Sequence, residues 1–329
     1  MAIATNTRTT YGAIGIREDL SNIIYNISPM ETPFLYNIGK GSCDNTLFEW
    51  QTDSLATAAA NQKLEGDNNM DALAVAEPTR LTNYCQISYK AVQTSGTAEA
   101  VDFAGRRSSQ AYQLAKRAKE IKRDMEKMLL SNDVKVAGNA TLPRKTAAVM
   151  SWLGTGSAGT SNIILGSASP VVGVTNAATG TSVASFGTSA VLTMAMINLA
   201  MERVFTLGGD PSTILSPADL KQKISALGGS VIADIYKDTK GEGQATAINA
   251  IDVLVTDFGT LKIVPSRHML ADMLFFVDYD FWSVDYLRPF QTETLAKTGD
   301  SIKQLMIAEY GLRGKNGLAS AAVIGVKDA

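Results

Sequence analysis

Two segments with two-residue alternation, 47–53 and 81–92, stand on either side of 56–77, a stretch rich in Ala, Asn, Asp and Gly with weak periodicity. Phe48, Trp50 and Thr52 share one face of the first; Leu81, Cys85, Ile87, Tyr89 and Ala91 share one face of the second. The spacing predicts two strands joined by an extended loop, too long for a tight hairpin. An isolated two-stranded ribbon is marginal in water. A chain that keeps one must cover it, so the projection reads as a reach toward a partner.

Upstream, Pro29 and Pro33 stop any helix from crossing 1–46, a segment of Thr, Asn, Gly and Ser with short apolar patches. Leu20, Ile23, Ile24 and Ile27 fall on one side of two helical turns. That stripe is covered either by another subunit, as an extended arm, or by the chain's own core, as a local lid. Downstream, 104–131 is the clearest helix, with Ala111, Leu114, Ala115, Ala118, Ile121, Met125, Met128 and Leu129 on the helical period and no glycine after Gly105. At about 1.5 Å per residue it spans roughly 40 Å.

The polar face of this helix carries Arg106, Arg107, Lys116, Arg117, Lys119, Lys122, Arg123 and Lys127 against Glu120, Asp124 and Glu126. No other basic stripe occurs in the chain. One reading is contact with nucleic acid or with acidic neighbours. The other is a solvated face laced by Lys116/Glu120 and Lys122/Glu126 pairs at i, i+4.

From 146 to 201 no charged residue occurs, and 154–187 is dominated by Gly, Ala, Ser, Thr and Val. The short β-prone runs 162–165 and 170–174 suggest a surface insertion buried between subunits, or else a flexible linker. A helix is expected over 188–206, with Val191, Met194, Ala195, Asn198, Leu199, Met201 and Val204 inward. A short strand at 213–215 runs into a helix start at Ser216-Pro217. The last third reads as strands at 251–256, 261–265, 273–278, 281–287, 302–312 and 319–326. Helices in the middle and strands after them indicate an α+β fold, without βαβ alternation.

At 329 residues and 45% hydrophobic, the chain can bury one large core or two modest ones. Its formal charge of −2 excludes the global basic field of a dedicated nucleic-acid binder. Cys43 and Cys85 are too few for a disulfide framework and have no metal spacing, which fits free thiols and a reducing folding compartment. The first ten residues lack the apolar core of a signal peptide, and no run of about 18 apolar residues offers a membrane span.

Catalytic signatures are missing: there is no GxxxxGK[ST], GxGxxG after a strand, HExxH or GxSxG. His268 is the single histidine and lies between strands, as a structural residue would. Asp278, Asp280 and Asp285 sit among Tyr279, Phe281, Trp282 and Tyr286, and read as rim or interface positions and not as a metal cluster. The 67–71 run lacks the glycine and terminal glutamate of a calcium loop. No cofactor, no metal and no enzymatic activity is expected. A hydrolase with a cryptic carboxylate site is the reading from another class, with no motif behind it.

Six segments carry a resemblance. Arg17-Glu18-Asp19-Leu20, the turn from Ser28 through Pro29, Glu31, Thr32 and Pro33 to Phe34, and Glu49-Trp50-Gln51-Thr52-Asp53 resemble the N-terminal signature of a family of tailed-phage major capsid proteins. Near the C-terminus, Tyr286-Leu287-Arg288-Pro289, the 295–300 run and 307–312 resemble that family's closing strands. Together these segments bracket the chain and cover about a third of it. The order of elements is also similar to that of the Hong Kong 97 capsid fold.

That resemblance implies an arm at 1–46 and an extended loop at 47–92. It further implies a peripheral domain at 93–145 and 279–313 around a spine helix at 104–131, and an axial domain at 188–278 and 314–329. The uncharged 146–187 is left as an insertion. The implied function is an icosahedral shell of hexamers and pentamers around double-stranded DNA, in the virion and assembled in the host cytoplasm. Ile23, Ile24, Phe34, Phe48, Trp50, Tyr84 and Tyr89 would anchor subunit contacts. Arg106, Arg107, Arg117, Lys119, Arg123 and Lys127 would form the DNA-facing or solvated stripe. Implied partners are a separate scaffolding protein, a portal and a decoration protein, with no membrane. The same fold also serves nanocompartments that enclose protein cargo, which is the alternative function.

Overall fold

The computed structural model describes residues 32–53, 77–103, 108–154, 160–166, 171–172, 178–187, 189–236 and 252–328, with isolated positions between 55 and 66. In chain order the elements begin with α1 (Pro33–Asn37), β1 (Gly39–Ser42), β2 (Leu47–Thr52), β3 (Thr79–Tyr84), β4 (Gln86–Ser95), α2 (Gly96–Ala100) and α3 (Ser109–Leu129). They continue with β5 (Ile163–Leu165), β6 (Val171–Val172), β7 (Ala190–Val191), α4 (Met194–Thr206), β8 (Thr213–Ser216) and α5 (Ala218–Tyr236). The last are β9 (Val253–Thr256), β10 (Gly259–Pro265), β11 (Met273–Val277), β12 (Trp282–Thr294), β13 (Ser301–Gly314), β14 (Ala321–Ile324) and β15 (Val326–Lys327). The fold is α+β.

A seven-stranded mixed sheet runs β6-β5-β14-β11-β8-β10-β9. Its central strands β14, β11 and β8 are buried along their whole length. Continuous apolar runs of this kind mark strands covered on both faces. In β11, Leu274 and Phe276 enter a core under α4, shared with Met196, Ile197, Ala200, Met201 and Val204. Met273, Phe275 and Val277 alternate to the other face and a second core.

That second core joins the two main sheets. A four-stranded sheet runs β1-β12-β13-β4, with β1 parallel to β12 and the remaining pairs antiparallel. Trp282, Val284, Tyr310 and Leu312 bring it into the cluster, where Ile121, Met125 and Leu129 of α3 also lie. Pro289 sits inside β12, where the register with β13 shifts between Tyr286 and Gln291. Proline cannot donate to a ladder and is tolerated at such a bulge. For this reason β12 reaches Thr294, past the expected end at 287.

The spine helix begins later than its period suggests. Ser108 caps it, its hydroxyl accepting from the Ala111 amide at 3.2 Å, and 104–107 lie outside the described residues. Ile121, Met125 and Leu129 are buried as expected, whereas Ala111 and Ala115 are exposed.

Three sequence expectations need correction. The strand expected over 81–92 is broken at Cys85: β3 pairs with β2, while β4 leaves for the four-stranded sheet. The helix expected over 188–206 starts at Met194, and Val191, Ala195 and Asn198 face solvent while Met196 and Ile197 are inside. Its apolar residues occur on several sides, so the pattern left the phase ambiguous.

The third concerns the uncharged stretch, of which 147–153 and 161–164 are buried in the chain's own core and do not behave as a linker. Ala147 to Leu153 are fully buried or nearly so, and β5 pairs with β14 inside the larger sheet. A stretch without charge is what a segment crossing the core requires.

Candidate assembly surfaces

The ribbon β2–β3 is covered by its own chain. Phe48 and Trp50 stack at 5.6 Å, Trp50 lies 5.1 Å from Trp152, and the Trp50 indole donates to the Gly314 carbonyl at 3.0 Å. Gly311 is the reason Phe48 sits so close: a Cβ there would come within 2.4 Å of its ring. Asn83, fully buried, bonds the Thr146 hydroxyl and the Leu312 carbonyl and accepts from the Tyr84 and Ala147 amides. From the side, Lys135 donates to the Thr82 carbonyl and hydroxyl and to Thr179, and burial lowers its pKa.

Three of the seven expected anchors are therefore internal. Phe34 is fully buried, packed edge-on against Phe275 and Trp282. Phe48 and Trp50 belong to the same core. Their alternation marks a buried face but does not say whether a neighbour or the chain itself covers it. Tyr84 is half-buried, Tyr89 is 64% exposed, and Ile23 and Ile24 lie outside the described residues.

Tyr89 leads to a surface that the sequence did not single out as a unit. One face of the four-stranded sheet packs on α3, where Lys90 pairs with Asp124 at 2.7 Å and Thr94 bonds Gln110. On the opposite face Ile87 and Tyr89 are exposed, with Ile307 beside Tyr89. Leu142, also exposed, lines with Ile87, Gly138, Pro143 and Arg144 an open groove of about 390 Å³. Its rim is cationic. Glu309, 3% exposed, takes both Arg144 at 2.5 Å and Arg288 at 2.9 Å, two guanidinium groups on one carboxylate. The sequence signal for this face was the alternation of Ile87 and Tyr89; the loop bearing Leu142 gave none.

The basic helix pairs its charges differently from the sequence expectation. Glu120 pairs with Arg117 of the stripe at 2.5 Å, whereas Asp124 pairs with Lys90 of β4 and Glu126 lies in the core. The expected Lys116/Glu120 and Lys122/Glu126 pairs do not form. Lys116, Lys119, Lys122 and Lys127 stand exposed, Arg123 is half-buried, and none has an ion-pair partner among the described residues. Arg106 and Arg107 lie outside the described residues.

Of the carboxylates expected at a rim or interface, Asp285 is instead internal. Asp285, 2% exposed, pairs with Arg313 and accepts from Ser283, while Asp278 caps the turn Tyr279–Phe281. His268 is held below its usual pKa by burial and by the nearby Arg123 and Lys127. Among the described residues no helix is long and apolar enough to cross a membrane.

A family model described as SU10 major capsid protein matches residues 3–327. The major capsid protein of Escherichia phage Phieco32 is 30% identical over 355 residues, covering 95% of this chain and 95% of that protein. Among solved structures, a chain of the cyanophage A-1(L) capsid has a TM-score of 0.68 at 12% identity, covering 94% of this chain and 97% of its own. The encapsulin SrpI of Synechococcus elongatus PCC 7942 has a TM-score of 0.52 at 9% identity, covering 93% of each. At these identities the structural likeness speaks for the fold alone.

Proposed function

Because the chain belongs to the SU10 major capsid protein family and builds a phage capsid shell, we propose that it closes that shell through the exposed face of Ile87, Tyr89 and Leu142. The four-stranded sheet with α3 acts as the peripheral domain, and the seven-stranded sheet with α4 and α5 as the axial domain. The arm and the loop tip 54–78 reach across neighbours in hexamers and pentamers, around double-stranded DNA, while the ribbon root and β4 stay with their own subunit. Scaffolding, portal and decoration proteins complete the assembly.

The observation that carries this reading is an apolar face, rimmed by Arg144 and Arg288, on the side of the sheet opposite α3. Its occupant is the loop tip of a neighbouring copy. Residues 54–78 hold Glu65, Asp67, Asp71 and Glu77 against Lys63, a charge complementary to the arginine rim. Each contact is modest, and a closed shell repeats it many times.

Replacing Ile87 and Tyr89 together by serine tests the reading. Both are exposed, so the subunit's melting temperature should stay within about 2 °C. Closed particles, counted by electron microscopy, should fall at least tenfold. Normal shell yield from the double variant would remove this face from the assembly. Nucleic acid, and not protein cargo, is expected inside purified particles, which separates the virion reading from a nanocompartment.

A further inference from the structure

The chain's two cysteines are brought into contact at a strategic place. Cys43 follows β1, and Cys85 separates β3 from β4, so the pair marks where the chain leaves the four-stranded sheet for the ribbon and where it returns. Backbone bonds fix both points: the Cys43 amide donates to Tyr286 at 3.1 Å and the Cys85 amide to Thr46 at 2.8 Å. Both are free, buried thiols with their sulfurs 3.2 Å apart. A disulfide bond is about 2.05 Å long, so closure asks the sulfurs to approach by only about 1.2 Å.

We propose that Cys43 and Cys85 form a redox-closed clasp at the root of the ribbon, open while subunits assemble and closed in released particles. A reducing cytoplasm keeps the pair as thiols, and an oxidising exterior favours the bond. The oxidant is of the peroxide class, small enough to reach a buried pair. Cys43 is the attacking group, being 8% exposed where Cys85 is fully buried. Burial raises both thiol pKa values, Cys85 the further, so the Cys43 thiolate forms more readily. That thiolate takes one peroxide oxygen, giving a sulfenic acid and releasing hydroxide. Cys85 then displaces the sulfenic hydroxyl, the S–S bond forms, and the thiol proton leaves with that hydroxyl as water. Two electrons pass from the cysteine pair to the peroxide.

The clasp joins residues 42 apart in sequence and encloses the whole loop. Such a ring stabilises mainly by restricting the unfolded chain.

The test uses assembled particles treated with hydrogen peroxide, quenched with catalase, denatured in N-ethylmaleimide and digested with trypsin. Mass spectrometry should find tryptic peptides 41–63 and 81–90 joined, lighter by two hydrogens, and separating on reduction. Maleimide uptake should fall from two groups per chain to none. The oxidised particles should melt higher than reduced ones by on the order of 5 °C. A Cys43→Ala variant should show no redox-dependent shift. Two thiols still free after peroxide, or separate sulfinic acids without the joined peptide, would overturn the clasp. A cross-link that leaves the melting temperature unchanged would overturn its role at the ribbon root.

Discussion

Glu126 is a carboxylate buried on the core side of α3, held by amides and not by a cation. Its oxygens accept from the Phe34 and Leu35 amides at 2.9 and 2.7 Å, at the start of α1. Burial pushes its pKa up to about 7, against the opposing pull of those two amides. The folded state therefore holds a proton between about pH 4.5 and 7 that the unfolded chain has released. Stability falls as pH rises through this window and levels off above it, by about 3 kcal/mol in all. Glu126→Gln should flatten this dependence between pH 5 and 8 in chemical denaturation. An unchanged slope would assign it to other groups. The sequence placed Glu126 on the solvated face because its i, i−4 neighbour is Lys122. Its burial depends on α1 docking from 92 positions away, which no local pattern records.

At the scale of elements, α3 was legible and its charges were not. Ile121, Met125 and Leu129 announced the buried stripe through their period, yet which acids neutralise which lysines depends on partners in other elements. With Asp124 drawn to Lys90 and Glu126 to α1, the outer face keeps Lys119, Lys122 and Lys127 exposed. Reversing these three to glutamate should leave shell yield unchanged and lower the DNA retained per particle several-fold, with the retention of the original protein weakening as salt rises. Equal DNA content in the reversed particles would leave the stripe merely solvated. The ribbon shows the same division. Alternation located β2 and the later part of β3 well, but Phe48 and Trp50 turned out to be core because Gly311 and Gly314 of β13 lie beneath them. A glycine that receives an aromatic ring from elsewhere in the chain leaves no periodic mark.

For the whole molecule, the closing strands β11 and β14 followed from their apolar runs, β12 was seen only to 287, and the family signature brackets a match that spans nearly the full chain. The uncharged 146–187 stayed between two readings because composition reports the absence of charge without saying whether a core or a neighbour imposes it. Residues 147–153 lie in the core that the two sheets share, with Trp152 against Trp50, and β5 lies beside β14 in the larger sheet. The four-stranded sheet with α3 presents two unlike faces: Ile87, Tyr89 and Leu142 on one, the lysines of α3 on the other.

The direct measurement is electron cryomicroscopy of particles assembled from this chain with its scaffolding protein. Closed icosahedral shells should appear in which residues 54–78 of one subunit cover Ile87, Tyr89 and Leu142 of the next, with the α3 lysines toward the interior. Shells in which that face meets only solvent, or a chain that remains a compact monomer, would contradict the account.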